Sequence, residues 1–172
     1  MTPSERKTLL EAVAEAVAQF QSATNLVDEA AATLLGVHRT DLRCLGLLHA
    51  HTPMSAGRLA AAAHLSPGAT TAAIDRLERA GYARRVRPGG DRRSVLVEPT
   101  PAGRERIEAI YGPVGRAGMD QLARYSDADL RLLREFLREG YRMQVEQARR
   151  LRGASDVAAG TQGNAIAPNA RH

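Results

Sequence analysis

The 172-residue sequence has few aromatic residues and no tryptophan at all. Phe and Tyr together supply only 3% of the chain, so its hydrophobic core must be aliphatic, built mainly from Leu, Val and Ala. Because β-sheets draw on aromatic and β-branched residues, this composition favours a helical fold over a β-sandwich. The length is typical of one domain, or of one domain with extensions.

Cysteine and long hydrophobic runs are also scarce. The single cysteine, Cys44, excludes an internal disulfide and indicates a reducing compartment. No apolar run approaches the roughly 18 residues of a membrane span, and the charged, amphipathic start MTPSERKTLLEAVAEAVAQF does not resemble a signal peptide. We therefore expect a cytoplasmic protein with no membrane partner.

No catalytic constellation is visible, since no nucleophile has a neighbouring His and acid and no glycine loop could cradle a phosphate. His38, His49, His51 and His64 could in principle bind a metal, but positions 49 and 51 diverge on a helix. Neither an H-E-x-x-H motif nor a cysteine cluster is present. We expect no enzyme, no cofactor and no metal site.

Cys44 could alternatively be a redox sensor, which requires an exposed thiol with a depressed pKa. Its neighbours include four leucines, although Arg43 and His49 are also close in sequence. The leucines predict a buried, inert thiol.

The stretch from Ser66 to Gly81 predicts a short helix with a clear start and end. Ser66 is a good N-cap, Pro67 suits the first helical position, and Gly81 can adopt the left-handed conformation that ends a helix. An apolar stripe points inward, and a second set of side chains points outward: Thr71, Ala72, Asp75, Arg76 and Arg79. Short side chains at the start of the helix suit the floor of a DNA major groove. The alternative is a surface helix with solvated arginines.

Two predicted helices precede this one. The first, from Thr40 as N-cap to about His51, is apolar on most sides and therefore buried. The second runs from Ser55 to Leu65, so that a tight connection leads into the helix at Ser66 and completes a helix-turn-helix.

Further upstream, the apolar pattern of residues 4–35 predicts a long amphipathic helix that ends at Gly36. A helix of this length on a small protein needs a surface to pack on. A second subunit would supply one, and packing on its own chain alone is the alternative.

After Gly81 the pattern becomes that of a β-hairpin, with strands at 82–87 and 94–98 around a turn at 88–91. Arginines at its tip, Arg87, Arg92 and Arg93, could reach a DNA minor groove. We interpret Asp91 as the partner that orients Arg93 or Arg92, and a plain turn residue as the alternative. Between residues 53 and 100, eight bases and four acids hold most of the net charge of +5, which indicates a polyanionic partner.

Two more helices are expected before the C-terminus. Thr100 caps one that runs to about Tyr125, with a kink at Gly112-Pro113. Ser126 and Asp129 form a capping box for the other, which runs from 127 to about 151. The polar, small-residue composition from 153 onward predicts a disordered tail.

The run AIDRLERAGYARRVRPGGDRRSVLVEPTPAG, preceded by LAAAAHLSPGATT, resembles the MarR family of winged helix-turn-helix transcription regulators. The shared features are the D-R-L in the recognition helix, the G-Y that closes it, the D-R-R-x-x-L-V wing and the T-x-x-G of the next helix. The resemblance covers residues 39 to about 102. It implies a homodimer on a pseudo-palindromic operator, usually a repressor, with an effector pocket between the DNA-binding lobe and the dimer helices. His38 is our candidate to line that pocket.

We therefore expect a mainly α fold with a small β-hairpin wing, in four segments: an N-terminal dimerisation helix (1–36), the winged helix-turn-helix (37–100), C-terminal dimerisation helices (101–152) and the tail (153–172). Ser55, Ser66 and Arg76 are predicted to contact phosphates. Thr70, Thr71 and Pro67 are predicted to meet base edges. Two rival functions stay open: a winged helix used for protein contacts without specific DNA binding, and an enzyme or ligand carrier.

Overall fold

The computed structural model describes the backbone of residues 1–87 and 95–163, and side chains within these ranges as far as 153. Within the described ranges the chain forms six helices and three short strands. They are α1 (Pro3–Leu35), α2 (Arg39–His51), β1 (Met54–Ser55), α3 (Ala56–Ala63), α4 (Pro67–Arg79), β2 (Ala83–Val86), β3 (Leu96–Pro99), α5 (Pro101–Leu122) and α6 (Asp127–Gly163). This confirms the predicted fold class: a mainly helical chain with a small β wing.

The sheet has one strand more than the predicted hairpin. β2 and β3 pair antiparallel from Ala83 opposite Pro99 to Val86 opposite Leu96. β1 pairs on the other edge of β3, so that the strand order is β1-β3-β2. A strand of two residues is too short to show an alternating pattern, and for this reason the sequence did not predict it.

The hydrophobic core is aliphatic, as the composition predicts. Its fully buried side chains come chiefly from α2, α3 and α4, with Leu45, Leu48, Leu59, Ile74 and Leu77 each 0% exposed. The long helix α1 adds only its C-terminal end, through Ala31, Ala32 and Leu35. This core holds α3 and α4 against α2, and so sets the position of the helix-turn-helix.

The start of α2 differs from the prediction. The N-cap is His38 rather than Thr40, and the carboxylate of Asp41 accepts a hydrogen bond from the backbone N–H of His38 at 3.3 Å. Asp41 thereby satisfies a donor at the start of the helix, which has no partner inside it. A threonine followed by an acid is a reasonable N-cap pattern. Here, however, the N-cap lies two residues before the predicted N-cap Thr40, and Asp41 caps the backbone N–H of His38.

A compact junction joins the end of α4 to the start of α5. Gly81 adopts a left-handed φ of 76°, as its predicted role requires. Thr100 donates through its hydroxyl to the carbonyl of Gly81 at 2.6 Å, and through its N–H to the carbonyl of Tyr82 at 3.0 Å. The backbone of Gly103 lies so close to that Tyr82 carbonyl that a Cβ would collide with it. The G-Y and T-x-x-G motifs are therefore two halves of one contact.

The chain divides into two compact units, Met1–Arg116 and the part from Ala117 onward. The segment 1–36, predicted as a separate dimerisation helix, belongs to the first unit and shares its core. α5 begins in the first unit and continues as a helix through Pro113 to Leu122.

In the second unit, the predicted capping box of α6 is confirmed, because Ser126 and Asp129 exchange hydrogen bonds. α6 extends to Gly163, so the prediction of a disordered tail is wrong for 153–163. Residues 153–163 are mostly small and polar and lack an apolar stripe at helical spacing, so composition alone did not predict this part of the helix. The rest of the predicted tail lies outside the described residues.

None of the helices in the described part of the chain is both long enough and apolar enough to cross a membrane.

Candidate nucleic-acid interface

Serine side chains cap the two helices of the helix-turn-helix. The hydroxyl of Ser55 accepts from the N–H of Arg58 at 3.2 Å, and the hydroxyl of Ser66 accepts from the N–H of Ala69 at 3.2 Å. Ser66 and Pro67 are exposed, and Ser55 is partly exposed. The N-terminal end of a helix carries partial positive charge, so both ends suit an anion such as a DNA phosphate.

Thr70 does not reach the surface of α4. Its side chain is only 1% exposed, and its hydroxyl donates to the carbonyl of Ser66 at 2.9 Å. The prediction that Thr70 meets base edges is therefore wrong. Thr70 shares the buried side of α4 with Ala73, Ile74 and Leu77, the stripe that the sequence did identify.

Arg76 also turns inward, against the expectation that it points away from the chain. Its Nε lies 2.8 Å from Oδ2 of Asp41 and its Nη2 lies 2.6 Å from Oδ1, which is a bidentate ion pair between α4 and α2. The Asp41 side chain is 1% exposed and the Arg76 side chain 32%. The hydrogen bond to Asp41 raises the pKa of Arg76 above its ordinary value. Arg76 is thus committed to Asp41, a partner 35 residues away that helical periodicity does not reveal.

The outward face of α4 carries short side chains. Pro67, Gly68, Ala69 and Thr71 are exposed, and Ala72 is partly exposed. The Thr71 hydroxyl donates to the carbonyl of Pro67 at 3.0 Å. Because the hydroxyl proton is used within the helix, Thr71 offers an external partner its methyl group and the acceptor capacity of its oxygen.

A charged cluster joins α4 to β2, and the sequence analysis did not find it. Nη2 of Arg85 lies 2.7 Å from Oδ1 of Asp75, and its Nη1 forms an ion pair with Glu78. The backbone N–H of Arg85 also donates to Glu78 at 2.7 Å. The hydrogen bond to Asp75 is the largest cause of a raised pKa for Arg85. The sequence showed Asp75 on the outward face, but the pairing depends on how β2 folds back along α4.

The wing is described only in part. Arg84 in β2 pairs with Glu98 in β3, with Nη2 2.6 Å from Oε1. Arg87 follows β2 and is exposed. The other predicted wing residues, Asp91, Arg92 and Arg93, lie outside the described residues.

A cavity of about 170 Å³ lies in the first unit beside α2. Its lining comes from α1, α2 and α5: Asp28, Arg39, Leu42, Arg43, Gly46 and Tyr111. The predicted pocket residue His38 is exposed at the N-cap of α2, and its neighbour Arg39 lines the cavity instead.

The polar groups of this cavity are ordered by hydrogen bonds. The Tyr111 hydroxyl donates to Asp28 at 2.6 Å, and Nη2 of Arg39 donates to the side chain of Asn25 at 2.8 Å. Burial, followed by the hydrogen bond to Asp28, raises the pKa of Tyr111 above its ordinary value, so the phenol stays protonated at neutral pH.

Cys44 is fully buried, as predicted. Burial is the largest cause that raises the pKa of its thiol to about 11, followed by the charge of Asp41. A thiol with this pKa is protonated at neutral pH and is a poor nucleophile. Among the residues that the structure describes, no three His, Cys, Asp or Glu side chains gather as metal ligands would.

The Asp41–Arg76 pair yields a stability prediction. Arg76→Ala leaves a buried carboxylate without its cation, and we expect it to lower the free energy of unfolding by about 3 kcal/mol. Urea denaturation at one fixed protein concentration measures the change. Arg79→Ala is the matched control, because Arg79 is exposed in the same helix and should change stability by about 0.5 kcal/mol or less. Equal stability of the two variants would show that the ion pair does not stabilise the fold, and would favour the phosphate contact that the sequence predicts for Arg76.

Comparison with known proteins identifies this arrangement. The model of the MarR family matches residues 37–95. The HTH-type transcriptional regulator YcgE of Bacillus subtilis is 32% identical over 151 residues, which cover 88% of this chain and 98% of that protein. A MarR family protein from Bacillus stearothermophilus superposes with a TM-score of 0.58 at 21% identity, over 84% of this chain and 99% of that one. NadR in complex with 4-hydroxyphenylacetate superposes with a TM-score of 0.57 at 22% identity, over 74% and 90%. The chain therefore belongs to the MarR family of transcription regulators, a family whose members bind DNA.

Proposed function

We propose that this regulator binds a pseudo-palindromic DNA operator as a homodimer and represses transcription until a small-molecule effector releases it. The observation that carries the proposal is α4. Its exposed face is made of short side chains that can enter a major groove, and it is followed directly by an arginine-bearing wing. In a symmetric dimer, two such helices would meet successive major grooves about 34 Å apart.

The DNA contacts follow from the side chains that remain available. Ser55 and Ser66 would bind phosphates at the helix starts, and Pro67 and Thr71 would meet base edges, with the Thr71 methyl against thymine methyls. Arg87, Arg92 and Arg93 would serve the minor groove, with Asp91 orienting Arg93 or Arg92. Thr70 and Arg76 have no place in this scheme, because Thr70 is buried and the guanidinium of Arg76 is committed to Asp41.

Exposed apolar side chains on the terminal helices support a homodimer. On α1, Val13, Phe20, Val27 and Leu34 recur every seven residues, and Phe20 is 71% exposed. α6 exposes a second apolar group, which includes Leu132, Phe136, Leu137, Tyr141 and Met143. Large exposed apolar surfaces mark interaction sites, and a second copy of the chain is the partner that symmetric regulators use.

The cavity beside α2 supports a small-molecule effector. Two guanidinium groups, of Arg39 and Arg43, outnumber the one carboxylate, of Asp28, around a volume that suits one six-membered ring with a substituent. Guanidinium groups bind carboxylates well, so we expect a small aromatic monocarboxylate. NadR shows that a protein of this fold can hold a ligand of that kind.

The rival function is a winged helix that contacts another protein and lacks specific DNA binding. Internal pairing of Arg76, Arg84 and Arg85 favours it, because these pairs remove free positive charge from the predicted basic surface. The salt dependence of DNA binding separates the two functions, because only contacts to phosphates release counterions.

The first prediction from this proposed function concerns DNA binding. Duplexes selected in vitro from a random library should bind with an affinity that falls steeply with salt, with a slope of log K against log salt of about −5 if three wing arginines per subunit contact phosphates. Arg93→Ala should weaken binding and reduce the slope by about 2, since a dimer loses two contacts. Fluorescence anisotropy at several salt concentrations measures both values. Binding without a salt slope, or without sequence preference, would favour the rival function.

The second prediction concerns the dimer. Phe20→Glu places a charge in the apolar stripe of α1 and should convert the dimer to a monomer or raise its dissociation constant at least about a hundredfold. Sedimentation equilibrium measures the assembly. Ser22→Glu adds the same charge to an exposed position on the opposite face of α1, and should leave the dimer intact. Dissociation by both variants, or by neither, would show that the Phe20 face is not the interface.

The third prediction concerns the effector cavity. Benzoate at millimolar concentration should raise the Tm of the protein, because a ligand that binds only the folded state stabilises it by mass action. Arg43→Ala should remove this shift, whereas Arg58→Ala, which deletes an exposed arginine of α3 outside the cavity, should retain it. A shift that survives Arg43→Ala would place the binding elsewhere.

A further inference from the structure

The outward face of the recognition helix α4 includes two charged side chains, Asp75 and Arg79, in addition to its short ones. Gly68, Thr71, Ala72, Asp75 and Arg79 follow one another at helical spacing and form a single stripe on this face. Asp75 is 48% exposed and lies about 12 Å along the axis from Pro67, between the short side chains and the last turn. A bare carboxylate there would be repelled by DNA phosphates, so its local environment decides what it can do.

Arg85 supplies that environment. Its guanidinium binds Oδ1 of Asp75 at 2.7 Å, which offsets the negative charge and holds the carboxylate in one orientation. A carboxylate has two oxygens and about four acceptor positions, so the contact with Arg85 leaves acceptor capacity for an external donor. Arg85 is itself held by Glu78 through its backbone N–H and its side chain.

The donors of α4, by contrast, are committed or distant. Arg76 is bound to Asp41, and the Thr71 hydroxyl donates to the carbonyl of Pro67. Arg79 donates through its Nε to the carbonyl of Asp75, and lies in the last turn, about 18 Å along the axis from Pro67. Toward the bases, this helix therefore presents methyl groups, the hydroxyl oxygen of Thr71 as a neutral acceptor, and the carboxylate of Asp75 as the charged acceptor.

We propose that Asp75, oriented by Arg85, accepts a hydrogen bond from the N4 amino group of a cytosine in the major groove, so that each half-site requires a G·C pair at one position. The inference rests on the proposed DNA-binding function and names a specificity-determining residue within it. The major groove offers two amino donors, on cytosine and on adenine. Beside the amino group of adenine lies N7, an acceptor whose lone pair repels a carboxylate, and cytosine has no such neighbour on its own edge.

The test compares the duplexes selected from a random library by four full-length proteins: the unsubstituted chain, Asp75→Ala, Asp75→Asn and Glu78→Ala. Asp75→Ala should lose the G·C preference at that one position, where the unsubstituted protein should discriminate about ten- to a hundredfold. Asp75→Asn should change the preferred base from cytosine to adenine, because a carboxamide can both donate to N7 and accept from N6. Thermal unfolding of each variant verifies that it is folded at the temperature of selection.

Glu78→Ala is the matched control. It removes the other carboxylate that holds Arg85, but both oxygens of Glu78 already accept from Arg85 and its side chain is less exposed than that of Asp75. The base preference should therefore stay with cytosine even where affinity falls. The proposal is overturned if Asp75→Ala and Asp75→Asn select the same sequence as the unsubstituted protein, or weaken all duplexes equally, since Asp75 would then only join α4 to β2. Failure of the unsubstituted protein to select any sequence would instead overturn the proposed function, and with it this inference.

Discussion

The ion pair between Asp41 and Arg76 joins α2 to α4 beside the hydrophobic core that packs the two helices together. The carboxylate is buried, it accepts from the backbone of His38 at the start of α2, and it binds the guanidinium of α4 through two nitrogens. Breaking a buried pair by removing one partner costs about 3–5 kcal/mol, so the two helices are energetically joined at this point. Residues on both sides of Asp41 in sequence, Arg39, Leu42 and Arg43, line the cavity. The cavity and the recognition helix are therefore connected through one turn of α2.

Ion pairs of this kind reduce the positive charge that is available to a partner, compared with the charge counted along the sequence. Counted along the chain, the segment from 53 to 100 is strongly basic, which points to a polyanion. In the folded first unit, Arg76, Arg84 and Arg85 each meet a carboxylate, and their charge helps to position α4 and the wing. The charge that is free for DNA is thus smaller than the sequence count, and it is concentrated on exposed arginines such as Arg87. Net charge identifies a class of partner, but only folded geometry identifies the contacts.

Local signals in the sequence predicted the elements of the fold well. Ser66, Pro67 and Gly81 set the limits of α4 because capping and left-handed glycine geometry depend on residues close in sequence. Two of the errors, at Arg76 and β1, involve distant partners. Thr70 and Arg76 were placed outside because helical spacing separates two faces only coarsely, and the acid that draws Arg76 inward is on another helix. β1 was not predicted because it has only two residues and pairs with β3, which joins Ser55 to Leu96, 41 residues further along the chain.

The contacts within the first unit do not account for the stability of the long helix α1. Of its 33 residues, only Ala31, Ala32 and Leu35 are buried in the core. Helical propensity alone gives a segment marginal stability in water, and most helices in proteins are stabilised by packing of an apolar face. An apolar face on α1 exists, with Phe20 at its middle, but the described residues of the first unit leave it exposed. If a second copy covers that face, the stability of α1 depends on protein concentration, and the spacing of two recognition helices is set by the same contact that stabilises the helix. The stability of the dimer and the spacing of the half-sites it can bind would then both depend on the same contact between the two α1 helices.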